Sequence, residues 1–375
     1  MKKNMAGVLA ILLVMTAALT GCAGKYYPDS AAEAVNVDGV SVPLGEVNFY
    51  LRYQQTQMQG TYGMYFGEDF MNQDMMGMGT PYGETIRDTV VETLKEYYVV
   101  EAHAQELSVS LTEEEKNAAS EAAKAFLAAN DSKSLKAMSA DEATVTHVLQ
   151  LMALQNKVYE NRAATIDTEV DPESVAQKRI SYVENSKAGT VDEEGNETEL
   201  TEEELAEKKE QMEAVLAEAK AGGDLEAAAQ AHEMSASSIT YGKDSTSLDE
   251  AVFAAADALV EGEFSELIET EDYYYIVYME STFDEEATET ARENELSQRE
   301  REAYDAWYQP LVESAEITTN EEALETLTFE RIFREPEAEA EDAAAEETED
   351  TVSGDTADEP EGEAQWNGEK LRFRA

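Results

Sequence analysis

Asp272-Tyr273-Tyr274-Tyr275-Ile276-Val277-Tyr278-Met279-Glu280 gathers aromatic and β-branched residues into one short run, the composition of a strand. Working backwards, Arg179-Ile180-Ser181-Tyr182-Val183 reads the same way. The stretch between them is helical. Thr201-Glu202-Glu203-Glu204 has the pattern of a reciprocal cap and opens a helix that stops at Gly222-Gly223. Asp224 caps a second helix over 225–233, and 249–259 reads as a third. The order β, α, α, α, β is that of a small α+β domain. Alternate residues of the tyrosine run read as sheet core; the competing reading is the lining of a peptide groove.

Helices dominate on the N-terminal side. Val35 to Val42 alternates around Asp38-Gly39, a hairpin signal, and Leu44, Val47, Leu51 and Met58 follow at helical spacing. Over 58–83, six methionines alternate with glycines and aromatics, and the glycines and Pro81 predict a loop. Such a loop is either a surface for varied apolar partners, since methionine adapts its shape, or a cover folded over the helices. An apolar stripe through Ile86, Val90, Leu94 and Tyr98 predicts a helix over 84–107. Thr112 to Glu115 opens another, ending at Ala129, and Ser139 to Glu142 opens a longer one to about Thr165. Asp171-Pro172 supplies a cap and a first-turn proline.

Beyond the second strand, 285–314 is a long amphipathic helix with Leu296, Tyr304, Trp307 and Leu311. Residues 184–200 form an acidic insertion. Glu335 to Glu363 holds fourteen acids and no base, too polar to offset its ordering entropy, and reads as a solvated, disordered spacer. The chain then changes sign at Trp366-Asn367-Gly368-Glu369-Lys370-Leu371-Arg372-Phe373-Arg374, which is basic and aromatic.

At the other end, Lys2 and Lys3 precede an apolar run from Ala6 to Leu19, then Thr20-Gly21-Cys22. This is the layout of an export signal, shorter than the roughly 20 residues of a membrane span. Leu19-Thr20-Gly21-Cys22 resembles the bacterial lipobox, which implies a cut before Cys22 and lipidation of its thiol. The chain would then be tethered to the outer face of the cell membrane.

Acids outnumber bases 82 to 27, a formal charge of −55, which argues against nucleic acid as a partner. Cys22 is the sole cysteine, so no internal disulfide is expected. His103, His147 and His232 are scattered without ligand spacing and read as helix-surface or packing residues, so neither metal nor cofactor is expected. There is no G-x-S-x-G, P-loop or G-x-G-x-x-G.

The α+β segment resembles a parvulin-type peptidyl-prolyl isomerase domain. The likeness rests on the 178–183 strand, Ala221-Gly222-Gly223-Asp224-Leu225-Glu226, Ala258-Leu259-Val260-Glu261-Gly262-Glu263-Phe264-Ser265, and Tyr274-Tyr275-Ile276-Val277. Upstream, 35–170 resembles the helical chaperone domain of SurA/PrsA-type foldases, and the helix after 284 resembles that family's return into it. The resemblance implies an α+β fold in which a mainly helical chaperone domain (35–175, closed by 284–334) carries an inserted parvulin-like domain (176–283). A signal (1–21), a tether (22–34) and an acidic tail (335–375) flank it. Active parvulins carry two core histidines. Their places fall here on Ile180, or Ser181 in a register slipped by one, and on Tyr275. The residues shaping the proline pocket fall on Leu248 and Val252, or Phe253; Tyr182 completes the substrate-binding set. The expected function is a membrane-anchored folding factor for unfolded or newly exported polypeptides, with weak or absent isomerase activity and its oligomeric state, dimer included, left open. The alternative is a surface lipoprotein that binds a ligand or solute, although the repeated βα lobes of a solute-binding protein are missing.

Overall fold

The computed structural model describes residues 20–21, 27–191, 197–330 and 333–334. Most of the expected signal, Cys22, the middle of the acidic insertion and the tail from 335 lie outside the described residues. The fold is mainly helical α+β with small antiparallel sheets. Its contacts divide into two units. One is built from residues up to Arg162 and from Tyr304 onward; the other is the continuous stretch Ala163–Ala303.

In the first unit, strands β1 (Glu33–Val37) and β2 (Val40–Pro43) form the hairpin that Asp38-Gly39 signalled. Both turn residues take positive φ, +50° and +83°. Helix α1 (Leu44–Phe66) follows directly and is buried on every side from Leu44 through Arg52. Around it pack α2 (Tyr82–His103), α3 (Glu113–Ala129), the short α4 (Ser132–Ala137) and α5 (Glu142–Ala163).

A helix buried all round must find partners for its polar side chains, because an unpaired buried polar group costs ~1–3 kcal/mol. Asn48 donates to Ala137 O (2.8 Å) and Ser139 Oγ (3.0 Å). Arg52 donates to Asn48 Oδ1 (3.0 Å), Gln55 Oε1 (2.7 Å) and Thr328 O (2.8 Å), and its guanidinium lies over the rings of Phe329 and Phe333.

The C-terminal stretch is thereby fastened to α1. After α10 (Glu285–Ser314), strand β7 (Ile317–Thr319) adds to β1, giving the order β7-β1-β2. The one-turn α11 (Glu321–Leu324) leads to Leu327, Phe329 and Phe333, all buried in the α1 core. Phe333 N–H donates to Gln59 Oε1 at 2.7 Å. Thr20–Gly21 pairs antiparallel with Phe333–Arg334; a cut before Cys22 would remove that two-residue strand.

The second unit opens with α6 (Pro172–Val175) and the long strand β3 (Lys178–Ser186). Helices α7 (Glu202–Gly222) and α8 (Leu225–Ala231) follow, then β4 (Ser237–Tyr241), α9 (Glu250–Asp257), β5 (Ile268–Glu269) and β6 (Tyr273–Ser281). The sheet is antiparallel in the order β4-β3-β6-β5. Strands alternate faces every residue, and both faces are covered. Val183, Tyr274 and Ile276 pack under α7 and α8, while Ile180, Tyr275, Val277 and Met279 pack with Val252 and Ala256 of α9.

Three local expectations need correction. Residues 58–66 are helical, not loop: α1 runs through Gly60 and Gly63 and stops only at Gly67, whose φ is +86°. Each glycine costs ~1 kcal/mol in a helix, but the buried first half has already met the nucleation cost, so further turns are added cheaply. Ser139 does not cap α5. It sits at φ +56° with its hydroxyl turned to Asn48, and Asp141 accepts the Thr144 N–H instead. Strands β4 and β5 have no counterpart among the expected elements.

Candidate functional site

In the second unit the alternation of β3 and β6 decides which expected site residues can meet. Ile180 and Tyr182 of β3 share a face with Tyr275 of β6, and α9 lays Val252 and Phe253 against it, with Leu248 just upstream. All six residues therefore join one cluster. Ser181, the alternative to Ile180, belongs to the opposite face, where its hydroxyl bonds to Glu280.

The cluster is packed. Ile180 and Val252 are fully buried, and Tyr275 is 5% exposed. Tyr275 stands across the ladder from Glu184, with its ring beside Tyr182 and Tyr273. Burial first, then the Glu184 carboxylate that its hydroxyl meets, pushes its pKa up to about 12. It therefore stays neutral and can donate a hydrogen bond, but it cannot replace an imidazole that exchanges protons near pH 7.

Leu248 and Phe253 also line an open cleft of about 890 Å³ between α6, the β4–α9 loop and α9. Tyr241 stacks on Phe253 at 4.8 Å between centroids to form an aromatic floor. Asp257 accepts from Tyr241 Oη (2.9 Å) and Lys178 Nζ (2.8 Å) at its edge. The grouping of Tyr241, Lys178 and Asp257 has no local signal in the sequence, because it depends on strand β4. Among the described residues no group of three His, Cys, Asp or Glu side chains is placed to hold a metal ion.

The first unit carries a different kind of site. Met64, Tyr65 and Phe66 at the end of α1, and Met75, Met76 and Met78 beyond it, are the main concentration of exposed large apolar side chains among the described residues. Met64 is 87% exposed and Tyr65 78%, whereas the neighbouring Phe70 and Met71 are 1% exposed and anchor the segment in the core. The loop between has definite geometry. Gln73 O accepts from Met75 N (3.0 Å) and Tyr82 N (2.9 Å), closing it at its base. Asp74 accepts from Gly79 N (2.7 Å) and Met78 N (3.0 Å), and these backbone donors, Gly79 first, hold its carboxyl below the usual aspartate range. Methionines are thus displayed on a turn wound around one carboxylate.

At the other end of α1 lies a charged group that spacing did not disclose. His147 of α5 has Nδ1 2.8 Å from Glu46 Oε1 and Nε2 3.5 Å from Glu101 Oε1. Tyr98 donates to the other Glu46 oxygen at 2.9 Å. Glu101 and Glu46, by accepting from the ring, push the His147 pKa up to about 10. This matches its expected role in packing and makes it a cation at neutral pH.

No protein-family model and no curated protein matches the chain. Among solved structures, the foldase protein PrsA from Lactococcus lactis aligns over 79% of this chain and 97% of its own, at 15% identity and a TM-score of 0.32. A Bacillus cereus PrsA described as a peptidylprolyl isomerase aligns over 80% and 98%, at 16% identity and 0.30. A SurA-like chaperone of Campylobacter jejuni aligns over 77% and 99%, at 12% identity and 0.27. The similarity thus spans most of the chain at low identity. Among the described residues no helix is long and apolar enough to cross a membrane.

Proposed function

We propose that this chain is an extracytoplasmic chaperone, anchored by a lipid on Cys22, that holds unfolded or newly exported polypeptides on its helical unit. The exposed methionine and aromatic surface at 64–78 carries this reading. Solvating so many large apolar side chains side by side costs free energy unless a partner covers them. Unbranched, polarizable methionines suit partners of varied shape, and the turn around Asp74 keeps them presented. In the second unit the Ile180–Tyr275 cluster acts as structure, and isomerase activity is weak or absent.

The test is light scattering of a reduced, denatured client with the mature protein present. Wild type should suppress aggregation. A variant with Met64, Tyr65, Phe66, Met75, Met76 and Met78 changed to serine should keep its fold, because these side chains are exposed, and should lose most of the protection. Equal protection by the two proteins, or none by wild type, overturns the reading. The alternative, a lipoprotein that binds a small ligand, is favoured only by the cleft over Tyr241 and Phe253. It predicts saturable ligand binding that Phe253→Ala abolishes and the serine variant leaves intact.

A further inference from the structure

We propose that the chain's own C-terminal segment, Trp366–Arg374, docks on the 64–78 methionine and aromatic surface and competes with clients for it. The proposal rests on the client-holding reading of that surface and adds its regulation.

Three observations select this occupant. The first is where the described chain ends. Phe333 is fixed to Gln59 of α1 and its ring lies under Arg52. Gln59 precedes Met64 by little more than one helical turn, ~7.5 Å along the axis. The remaining chain therefore departs from the edge of the apolar surface. Fully extended, the 335–365 connection could span ~100 Å, so reach does not limit the docking.

The second is charge. From Tyr53 to Ile86 there is no lysine or arginine, while Glu68, Asp69, Asp74 and Glu84 punctuate the segment. From Glu335 onward the first base is Lys370, followed by Arg372 and Arg374. The terminal segment thus brings basic residues to a stretch of chain, Tyr53–Ile86, that has acids and no base of its own, in a chain whose net charge is −55. The acidic connection would be repelled by the same surface, which leaves the terminus as the part of the tail that fits.

The third is pattern. Lys370-Leu371-Arg372-Phe373-Arg374 alternates strictly. In an extended conformation Leu371 and Phe373 fall on one face and the three bases on the other. Trp366 adds a large flat side chain upstream. Such a segment offers apolar groups to methionines and cations to the flanking carboxylates together, as an adaptable peptide ligand would.

Tethering sets the expected size of the effect. A flexible connection that reaches the surface supplies an effective concentration of ~1 mM, so a segment that dissociates at ~100 µM weakens any competitor about ten-fold. Clients that bind more tightly displace it, and weak, already folded surfaces do not. The surface is then covered when no client is present.

The experiment titrates a fluorescent synthetic peptide of residues 366–375 into the mature full chain and into a chain ending at Gln365. Thermal unfolding of both chains checks that the truncated one keeps the fold. The peptide should bind the truncated chain, with affinity falling as salt rises, and bind the full chain about ten-fold more weakly. Serine at Met75, Met76 and Met78 in the truncated chain should abolish binding. No binding to the truncated chain, equal binding to both chains, or indifference to the serine changes overturns the proposal. Concentration-dependent self-association of the full chain, absent from the truncated one, places the segment on a second copy and also overturns it. Client scattering in the same series separates this proposal from the function it rests on. Peptide docking without client protection by either chain leaves the docking standing and removes the chaperone reading. Equal client protection by both chains does the reverse.

Discussion

His147 Nδ1 lies 2.8 Å from Oε1 of Glu46, a carboxylate that is 6% exposed on the central helix α1. The contact ties α5 to α1 through a charge, because Glu101 and Glu46 together keep the imidazole protonated up to about pH 10.

Stability should therefore fall on the alkaline side. The His147 pKa is raised on folding from 6.5 to about 10. The native state then holds a proton that the unfolded chain releases above pH 6.5. The stabilisation is complete below that pH, declines between the two values and is gone above the higher one. Thermal unfolding of wild type and His147→Gln should show a gap that is widest below pH 6.5 and closes by about pH 10. A gap independent of pH would assign the contact to packing alone.

Two glycines on neighbouring helices should respond to alanine with opposite signs. At Gly83, in the first turn of α2, an added Cβ would stand 2.6 Å from the ring of Phe329. Gly83→Ala should destabilise by ~1–3 kcal/mol, the usual cost of overpacking. At Gly60 on α1 nothing lies within 4 Å, so Gly60→Ala should stabilise by ~0.5–1 kcal/mol. Urea unfolding of the two variants decides both.

Prolyl isomerisation should be slow. The rotation barrier of ~18–20 kcal/mol must be lowered by the site, and the two places expected to hold histidines carry the buried Ile180 and Tyr275. Against a short peptide panel the rate should lie well below that of an intact parvulin, and Tyr275→Phe should change it little. A rate near the parvulin's that Tyr275→Phe removes would make Tyr275 a catalytic residue.

Membrane attachment should depend on Cys22. Cys22→Ala should leave the precursor uncleaved or release the protein from the membrane fraction. A variant that still fractionates as a mature lipidated species would rule out the anchor.

What could be read in the sequence follows from how local each determinant is. Thr112 and Thr201 form reciprocal caps with Glu115 and Glu204, partners three residues away, and both helices begin as expected. Ser139 has the local pattern of a cap but bonds to Asn48, 91 residues away. The sharing of a sheet face by Ile180, Tyr182 and Tyr275 follows from strand alternation once β3 and β6 pair. Their burial does not, because it is set by where α9 lands. The helix through Gly60 and Gly63 was hidden for the same reason: its stability comes from a core assembled by the far ends of the chain, not from its own residues.

That core has a consequence for the order in which the protein acquires its shape. Strand β1 needs β7 beside it, and the pocket around Arg52 is closed by Thr328, Phe329 and Phe333. During synthesis from the N-terminus, the continuous stretch Ala163–Ala303 emerges entire while the helical unit still lacks its last pieces. The nascent N-terminal helices must wait with an incomplete core, exposed to aggregation, until Thr328, Phe329 and Phe333 have appeared. Until then this polypeptide is itself the kind of substrate a chaperone protects.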